Sequence, residues 1–301
     1  MRIDAFLWRG ARLFPDRPAV VDAATSLTHA ELSHQVGRLT ALLLSWGLQP
    51  GDRIVMLSKN RWEYAALFHA AARMGAVVVP LNWRLRLPEL RWIIADAAPA
   101  AVLAEPSFAQ TIEPLRNEIE SVRHWVALDE APQGWGHLPT LMAHSPSLSE
   151  PTRALPPEAI HEPLLQIYSS GTTGRPKGAV LTHANFSAAI MAMLSDFGMK
   201  PGHDRFLQVT PLFHVGGALM ALTCAAGCIT LRLLPEFDPL GAAQCLSQEA
   251  VTHTLMVPAM LNWMMGTPGF DQLRFPDLRV FAYGAAPMPV PLLARAIDHM
   301  R

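Results

Sequence analysis

The sequence predicts an α/β fold with a largely parallel sheet, laid out in two parts. Three observations lead there. Apolar runs of strand length alternate with segments of helical periodicity, the order that builds parallel sheets. A proline-rich stretch from His144 to Pro163 interrupts the alternation once. An apolar run then breaks into glycine and hydroxyl residues, as a strand breaks into a ligand-binding loop. The 301 residues are 50% hydrophobic and 16% charged, enough for a large core or two packed lobes and too apolar for a disordered chain.

Element by element, Ala30 to Trp46 carries apolar residues at helical spacing and ends at Gly47. Asp52 to Leu57 is a short β-rich run, and Trp62 to Met74 an Ala-rich helix ended by Gly75. Ala76 to Pro80 is a Val-rich strand; Pro88 to Asp96 is a helix with proline at its start, where no intrahelical N–H is lost. Ala100 to Ala104 and His124 to Leu128 are further strands. The connector 144–163 holds five prolines and divides a first α/β lobe, 1–163, from a second, 164–301. Beyond it, Thr182 is placed to cap a helix beginning near His183. Phe206 to Val209, Ile229 to Leu233, Thr254 to Val257 and Val280 to Tyr283 read as strands. Val215 to Leu231 is seventeen residues without a charge, short for a membrane span and rich in Gly, Ala and Cys, so it reads as a buried helix and strand.

A net charge of −1 gives no electrostatic case for nucleic acid. Cys224, Cys228 and Cys245, with no CxxC pair, read as buried thiols of a reducing, cytoplasmic compartment. The twelve histidines show no metal spacing. Charges among the first fourteen residues exclude a signal peptide.

The run Tyr168-Ser169-Ser170-Gly171-Thr172-Thr173-Gly174-Arg175-Pro176-Lys177-Gly178 carries the chemistry. Its glycines let backbone N–H groups converge on one point, its hydroxyls add donors, and Lys177 adds a point charge: a site for a polyphosphate. It is not a Walker loop, because Pro176 precedes the lysine and Gly178 follows it. A flexible surface loop is the bland alternative. His214, a lone histidine in an apolar stretch, is by composition alone a core histidine first. Tyr283-Gly284-Ala285-Ala286-Pro287 is by itself an ordinary strand-to-helix turn.

The run resembles the phosphate loop of the AMP-forming, adenylate-forming enzymes. Pro211-Leu212-Phe213-His214-Val215-Gly216-Gly217 is similar to the family's acyl-pocket motif, and Tyr283 to Pro289 to its adenine loop. Leu27 to Leu32 looks like the family's entry into its first long helix. The resemblance implies two α/β lobes packed face to face, with the active site along their junction. It implies that Ser169, Ser170, Gly171, Thr172, Thr173, Gly174 and Lys177 grip the phosphates of ATP. Gly284, Ala285, Ala286 and Pro287 would pack on adenine. His214, Val215, Gly216, Gly217 and Tyr283 would line the acyl pocket, and His214 and Lys177 are the catalytic candidates. The implied substrates are a carboxylic acid, ATP and coenzyme A, with Mg2+; the glutamate expected to hold Mg2+ lies beyond residue 301, as do the family's ribose-binding aspartate and catalytic lysine. The chain is therefore expected to be an incomplete N-terminal domain, weakly active or inactive alone. No acidic residue lies between Phe206 and Pro235, which disfavours an amino acid and favours a fatty or aryl acid; the pattern Pro-Leu-Phe-His with Gly-Ala-Ala-Pro-Met-Pro resembles fatty-acyl-CoA ligases most. The alternatives are an aryl-acid ligase, a ligase loading a carrier protein, and a non-catalytic binding module. No transmembrane segment is expected; peripheral membrane contact and a homodimer stay open.

Overall fold

The computed structural model describes residues 2–148, 157–169 and 175–300. Its strands are β1 (Pro18–Val21), β2 (Ser26–Thr28), β3 (Arg53–Leu57), β4 (Val77–Pro80), β5 (Ala101–Ala104), β6 (His124–Ala127), β7 (Gly136–His137), β8 (Pro163–Ser169), β9 (Lys177–Thr182), β10 (Arg205–Gln208), β11 (Thr230–Leu233), β12 (His253–Met256) and β13 (Val280–Tyr283). The α-helices are α1 (Asp4–Leu13), α2 (His29–Ser45), α3 (Trp62–Met74), α4 (Leu87–Ala97), α5 (Pro106–Ile112), α6 (Leu138–Ala143), α7 (His183–Phe197), α8 (Val215–Gly227), α9 (Pro239–Gln248), α10 (Pro258–Met265) and α11 (Val290–His299).

Two sheets result, one ordered β7-β6-β5-β3-β4-β8-β9 and the other β13-β12-β10-β11-β1-β2. Among the described residues only β9 in the first and β2 in the second run antiparallel to their neighbours. Strand alternation distributes the side chains into three cores. Ile54 and Met56 of β3 face a central core shared with α2, α3, α7 and α8, while Val55 and Leu57 face an outer core with α4 and α5. In the second sheet Phe206 points into the same central core and Leu207 into the outer core of α9, α10 and α11. The two sheets thus sandwich one layer of helices, and the expected α/β architecture with largely parallel sheets stands.

Local signals agree with the sequence. Thr28 and Glu31 form a reciprocal cap at the start of α2, and Thr182 and Asn185 do the same for α7. The uncharged stretch from Val215 folds as buried α8 followed by β11. Among the described residues no helix is long and apolar enough to cross a membrane. All three cysteines are free and buried.

The sheets, however, exchange strands across the division at 163/164. β1 and β2 from the first part join the second sheet by pairing with β11, and β8 and β9 from the second part join the first sheet beside β4. A Pro-rich connector marks where the chain changes direction, but sheet membership is decided by pairing partners distant in sequence. The connector's residues 149–156 lie outside the described residues.

One buried charge ties the base of the second sheet. Asp204, 4% exposed, accepts from the Lys200 backbone N–H at 2.6 Å and pairs with Arg279 at the head of β13. His253 of β12 stands 3.9 Å away. Asp204→Ala is expected to lower stability on the order of 2 kcal/mol, less than for a fully buried pair because Arg279 can turn to water. A urea midpoint equal to the parent's would refute this role.

Candidate functional site

The β8–β9 hairpin stands at the edge of the first sheet, and the glycine- and hydroxyl-rich tract lies between its two strands in sequence. Ser169 and Lys177 are register partners across its mouth, both exposed, and Lys177 makes no ion pair with the described residues. Ser170, Gly171, Thr172, Thr173 and Gly174 lie outside the described residues. The base of the hairpin is firmly held. Arg53 Nε donates to Gln166 Oε1 at 2.8 Å, Gln166 Nε2 to Tyr168 Oη at 2.9 Å, and Tyr168 Oη to Asp96 at 2.5 Å. Burial first, and then Asp96, push the Tyr168 phenol up, so it stays a donor. Gly178 sits opposite Tyr168, and a Cβ there would meet Gln166 Nε2 at 2.5 Å and Tyr168 Cζ at 2.9 Å. Gly178 thus makes room for the anchor.

His214 stands where β10 gives way to α8. Its backbone is extended, φ −90° and ψ 148°, as at a helix N-terminus, but its side chain does not cap. The imidazole packs against Phe213 with ring centroids 4.5 Å apart and is solvent-accessible. Partial burial first, and then the positive charge of Arg84, push its pKa below the usual histidine value. At neutral pH it is therefore an uncharged imidazole, able to donate from one nitrogen and accept at the other.

The two glycines that follow differ. A Cβ at Gly216 would meet nothing within 4 Å, whereas at Gly217 it would fall 2.1 Å from the Pro211 carbonyl oxygen. Gly216 borders open space; Gly217 closes the turn. Of the other apolar residues after His214, Met220 and Leu222 are core and Leu219 is partly buried.

The hairpin and the His214 helix meet at the junction of the sheets. A hollow of about 160 Å³ lies between Leu181 of β9, Asn185, Phe186 and Ala189 of α7, and Val215 and Leu219 of α8. Lys177 lies four residues upstream of Leu181 on the same strand, roughly 13 Å at ordinary strand rise. Gly284, Ala285, Ala286 and Pro287 leave the C-terminal end of β13, two strands from β10 and running parallel to it, so this turn and the His214 turn emerge at the same edge of the sheet. Ala285 takes φ 65°, a left-handed conformation tolerated by a small residue at a turn. Tyr283 itself lines a different hollow, of about 390 Å³, with Phe281, Met288, Leu293 and Ile297, and Pro287 lines a neighbouring groove with Pro258 and Arg295. Of the expected site residues, Val215 lines the hollow of about 160 Å³, together with Leu181 of the strand that starts at Lys177, and Tyr283 lines the larger one beside Leu293 and Ile297 of α11. Among the described residues no group of three or more His, Cys, Asp or Glu is arranged to hold a metal.

Two facing α/β layers around a shared helical core, with this hairpin beside a histidine-led helix, form the N-terminal domain architecture of acyl-CoA synthetases. The chain belongs to the AMP-binding enzyme family, which matches residues 7–301. It is 33% identical over 294 residues to an indoleacetate–CoA ligase of Aromatoleum aromaticum, covering 97% of this chain and 57% of that protein. It is 32% identical over 297 residues to the long-chain-fatty-acid–CoA ligase FadD13 of Mycobacterium tuberculosis, covering 94% of this chain and 55% of that protein. The inhibitor-bound N-terminal domain of FACL13 from Mycobacterium tuberculosis superposes with a TM-score of 0.90 at 30% identity, over 99% of this chain and 74% of that one. The chain thus spans little more than half the length of the curated relatives it matches.

Proposed function

We propose that this chain is the substrate-binding part of an enzyme that activates a carboxylic acid with ATP and passes the acyl group to coenzyme A. A carboxylate is a poor acyl donor because oxide leaves badly. Attack of a carboxylate oxygen on the α-phosphorus forms a C–O–P link, breaks the bond to the β-phosphate bridging oxygen and releases pyrophosphate. The resulting acyl-adenylate carries AMP as leaving group, and a thiol then displaces it. The protein's part is to position the reactants and neutralise charge. Ser169 and Lys177 at the hairpin mouth, with the tract between them, would grip the β- and γ-phosphates. His214, uncharged, would orient the acid by donating a hydrogen bond, and Gly284 to Pro287 would border the adenine.

The observation that carries this reading is that β9, the strand leading away from Lys177, meets the His214 helix across the hollow between Leu181 and Val215. The hollow beside Val215 has mainly apolar walls, which supports a fatty acid. The indoleacetate-activating relative supports an aryl acid as the second reading. Mg2+, where bound with ATP, is usually held by one or two carboxylates together with the substrate phosphates. ATP and coenzyme A as substrates carry a cytoplasmic location with them.

The test is binding of non-hydrolysable acyl-adenylate analogues, from acetyl to long-chain and aryl, to this chain and to Lys177→Ala. Binding of the analogues that depends on the acyl group is expected, together with binding of ATP, which alone carries the β- and γ-phosphates, that weakens about tenfold or more in Lys177→Ala, as for loss of a charge-assisted contact. A folded chain that binds no analogue would sink the reading for these 301 residues and favour a non-catalytic module.

A further inference from the structure

The turn that carries His214 is held by residues of the other sheet. Asn60, in the loop after β3, is 3% exposed. Its Nδ2 donates to Thr210 O at 3.2 Å and Leu234 O at 3.1 Å, and its Oδ1 accepts from Leu212 N at 2.8 Å. Its backbone N–H donates to Pro235 O at 2.9 Å. Every one of these partners belongs to the second sheet's strand ends or to the turn leading to His214. Gln208 holds the same turn from its own strand, donating to Thr210 O at 2.7 Å. Arg84, in the loop after β4, lays its guanidinium 4.3 Å from the Trp83 ring centroid and 5.9 Å from that of Phe213, whose ring packs on His214. Arg84 makes no ion pair with the described residues, so its charge is not cancelled locally. The other charges on this platform, Lys59 over Trp83 and Glu236, are paired with each other at 2.6 Å.

From this geometry we infer that Asn60 and Arg84 are positioning residues for His214, reaching it from the opposite lobe. Asn60 fixes where the imidazole stands by pinning the backbone two residues before it. Arg84 adds to partial burial in keeping the imidazole uncharged and, through Phe213, bears on which way its ring faces. Because the pins cross the junction, any movement of one lobe against the other displaces His214. The inference rests on the proposed acyl-orienting role only for its functional consequence; the coupling itself is readable without any ligand.

The experiment is an NMR titration of the His214 ring in the whole chain, with ring-to-ring contacts to Phe213 measured alongside. Arg84→Gln is expected to raise the His214 midpoint by about half a pH unit or more, and Arg84→Lys to leave it near the parent's value. Asn60→Ala is expected to keep the midpoint, lose the Phe213–His214 contact pattern and weaken acyl-adenylate analogue binding about tenfold. If Asn60→Ala does not fold, Asn60→Asp, which keeps the acceptor for Leu212 N and loses both side-chain donors, is read by the contact pattern alone, because its added charge moves the midpoint. An unmoved midpoint in Arg84→Gln, or an unchanged contact pattern in the folded Asn60 variant, overturns the inference. Absence of analogue binding by the parent chain overturns the proposed function instead, and leaves the titration and contact results to decide this one.

Discussion

Acidification from pH 6.5 to pH 4 is expected to remove most of the stability of this fold. His29 of α2, His69 of α3 and His183 of α7 are buried in the structure, 1%, 2% and 0% exposed. Both ring nitrogens of His29, Nδ1 of His69 and Nε2 of His183 have no hydrogen-bond partner among the described residues. Burial pushes His29 to about 4, His69 to about 3 and His183 to about 4, with the charges of Arg73 and Arg2 adding to the last two. The sign follows from proton counting. Unfolded, each ring binds a proton near pH 6.5; folded, it refuses one until pH 3–4. The neutral, buried form therefore contributes fully above pH 6.5, and its contribution is lost as pH falls toward the folded values. Each histidine steepens the pH dependence by about 1.4 kcal/mol per unit, so the three together approach about 4 kcal/mol per unit. Against a total stability of about 5–15 kcal/mol this is enough to unfold the chain. Paired carboxylates such as Asp129 and Glu249, held low by Arg61 and Arg232, push the same way, while Glu63, raised by burial, opposes. Urea denaturation at pH 7, 6 and 5 measures the slope. A flat profile would contradict the argument, and His29→Gln should flatten it by about one proton whatever it does to absolute stability.

How much of this was readable in advance follows the range of the interactions involved. The helices and strands announced themselves wherever a local rule decides: Thr182 capping α7, the uncharged stretch that became α8, and proline opening α4. The β8–β9 hairpin was legible where an apolar run breaks into glycine and hydroxyl residues, a local signal for a strand ending in a loop. Long-range pairings were not. Nothing near Pro18 says that β1 will join β11, more than two hundred residues on, because strand pairing leaves no mark in the strand itself. Asn60 is an unremarkable loop asparagine until its partners at Thr210, Leu212 and Leu234 arrive from the other sheet. The strand alternation that turns Tyr283 toward α11 was hidden for the same reason: which face of β13 is covered depends on α11.

Gly217 and Gly216, adjacent and alike in sequence, are expected to answer substitution in opposite ways. At Gly217 a Cβ would lie 2.1 Å from Pro211 O, 2.7 Å from Pro211 C and 3.2 Å from Leu212 Cα. All three are backbone atoms, so no rotamer change relieves the clash. The turn must open, and with it the His214 N–H bond to Pro211 O at 3.1 Å and the Asn60 pin on Leu212 at 2.8 Å. Alanine's better helix propensity returns only about 1 kcal/mol, while overpacking against fixed backbone with loss of these bonds costs more. A net loss on the order of 3 kcal/mol is expected for Gly217→Ala. At Gly216 the added methyl meets nothing within 4 Å, so the same propensity term makes Gly216→Ala neutral to slightly stabilising. Its effect should appear in ligand choice instead: Gly216→Phe would fill the open space beside His214 and shift binding toward shorter acyl-adenylate analogues. Calorimetric melting of the two alanine variants side by side separates these roles. If Gly217→Ala melts with the parent, the close approach of α8 to Pro211 is not what sets the position of His214.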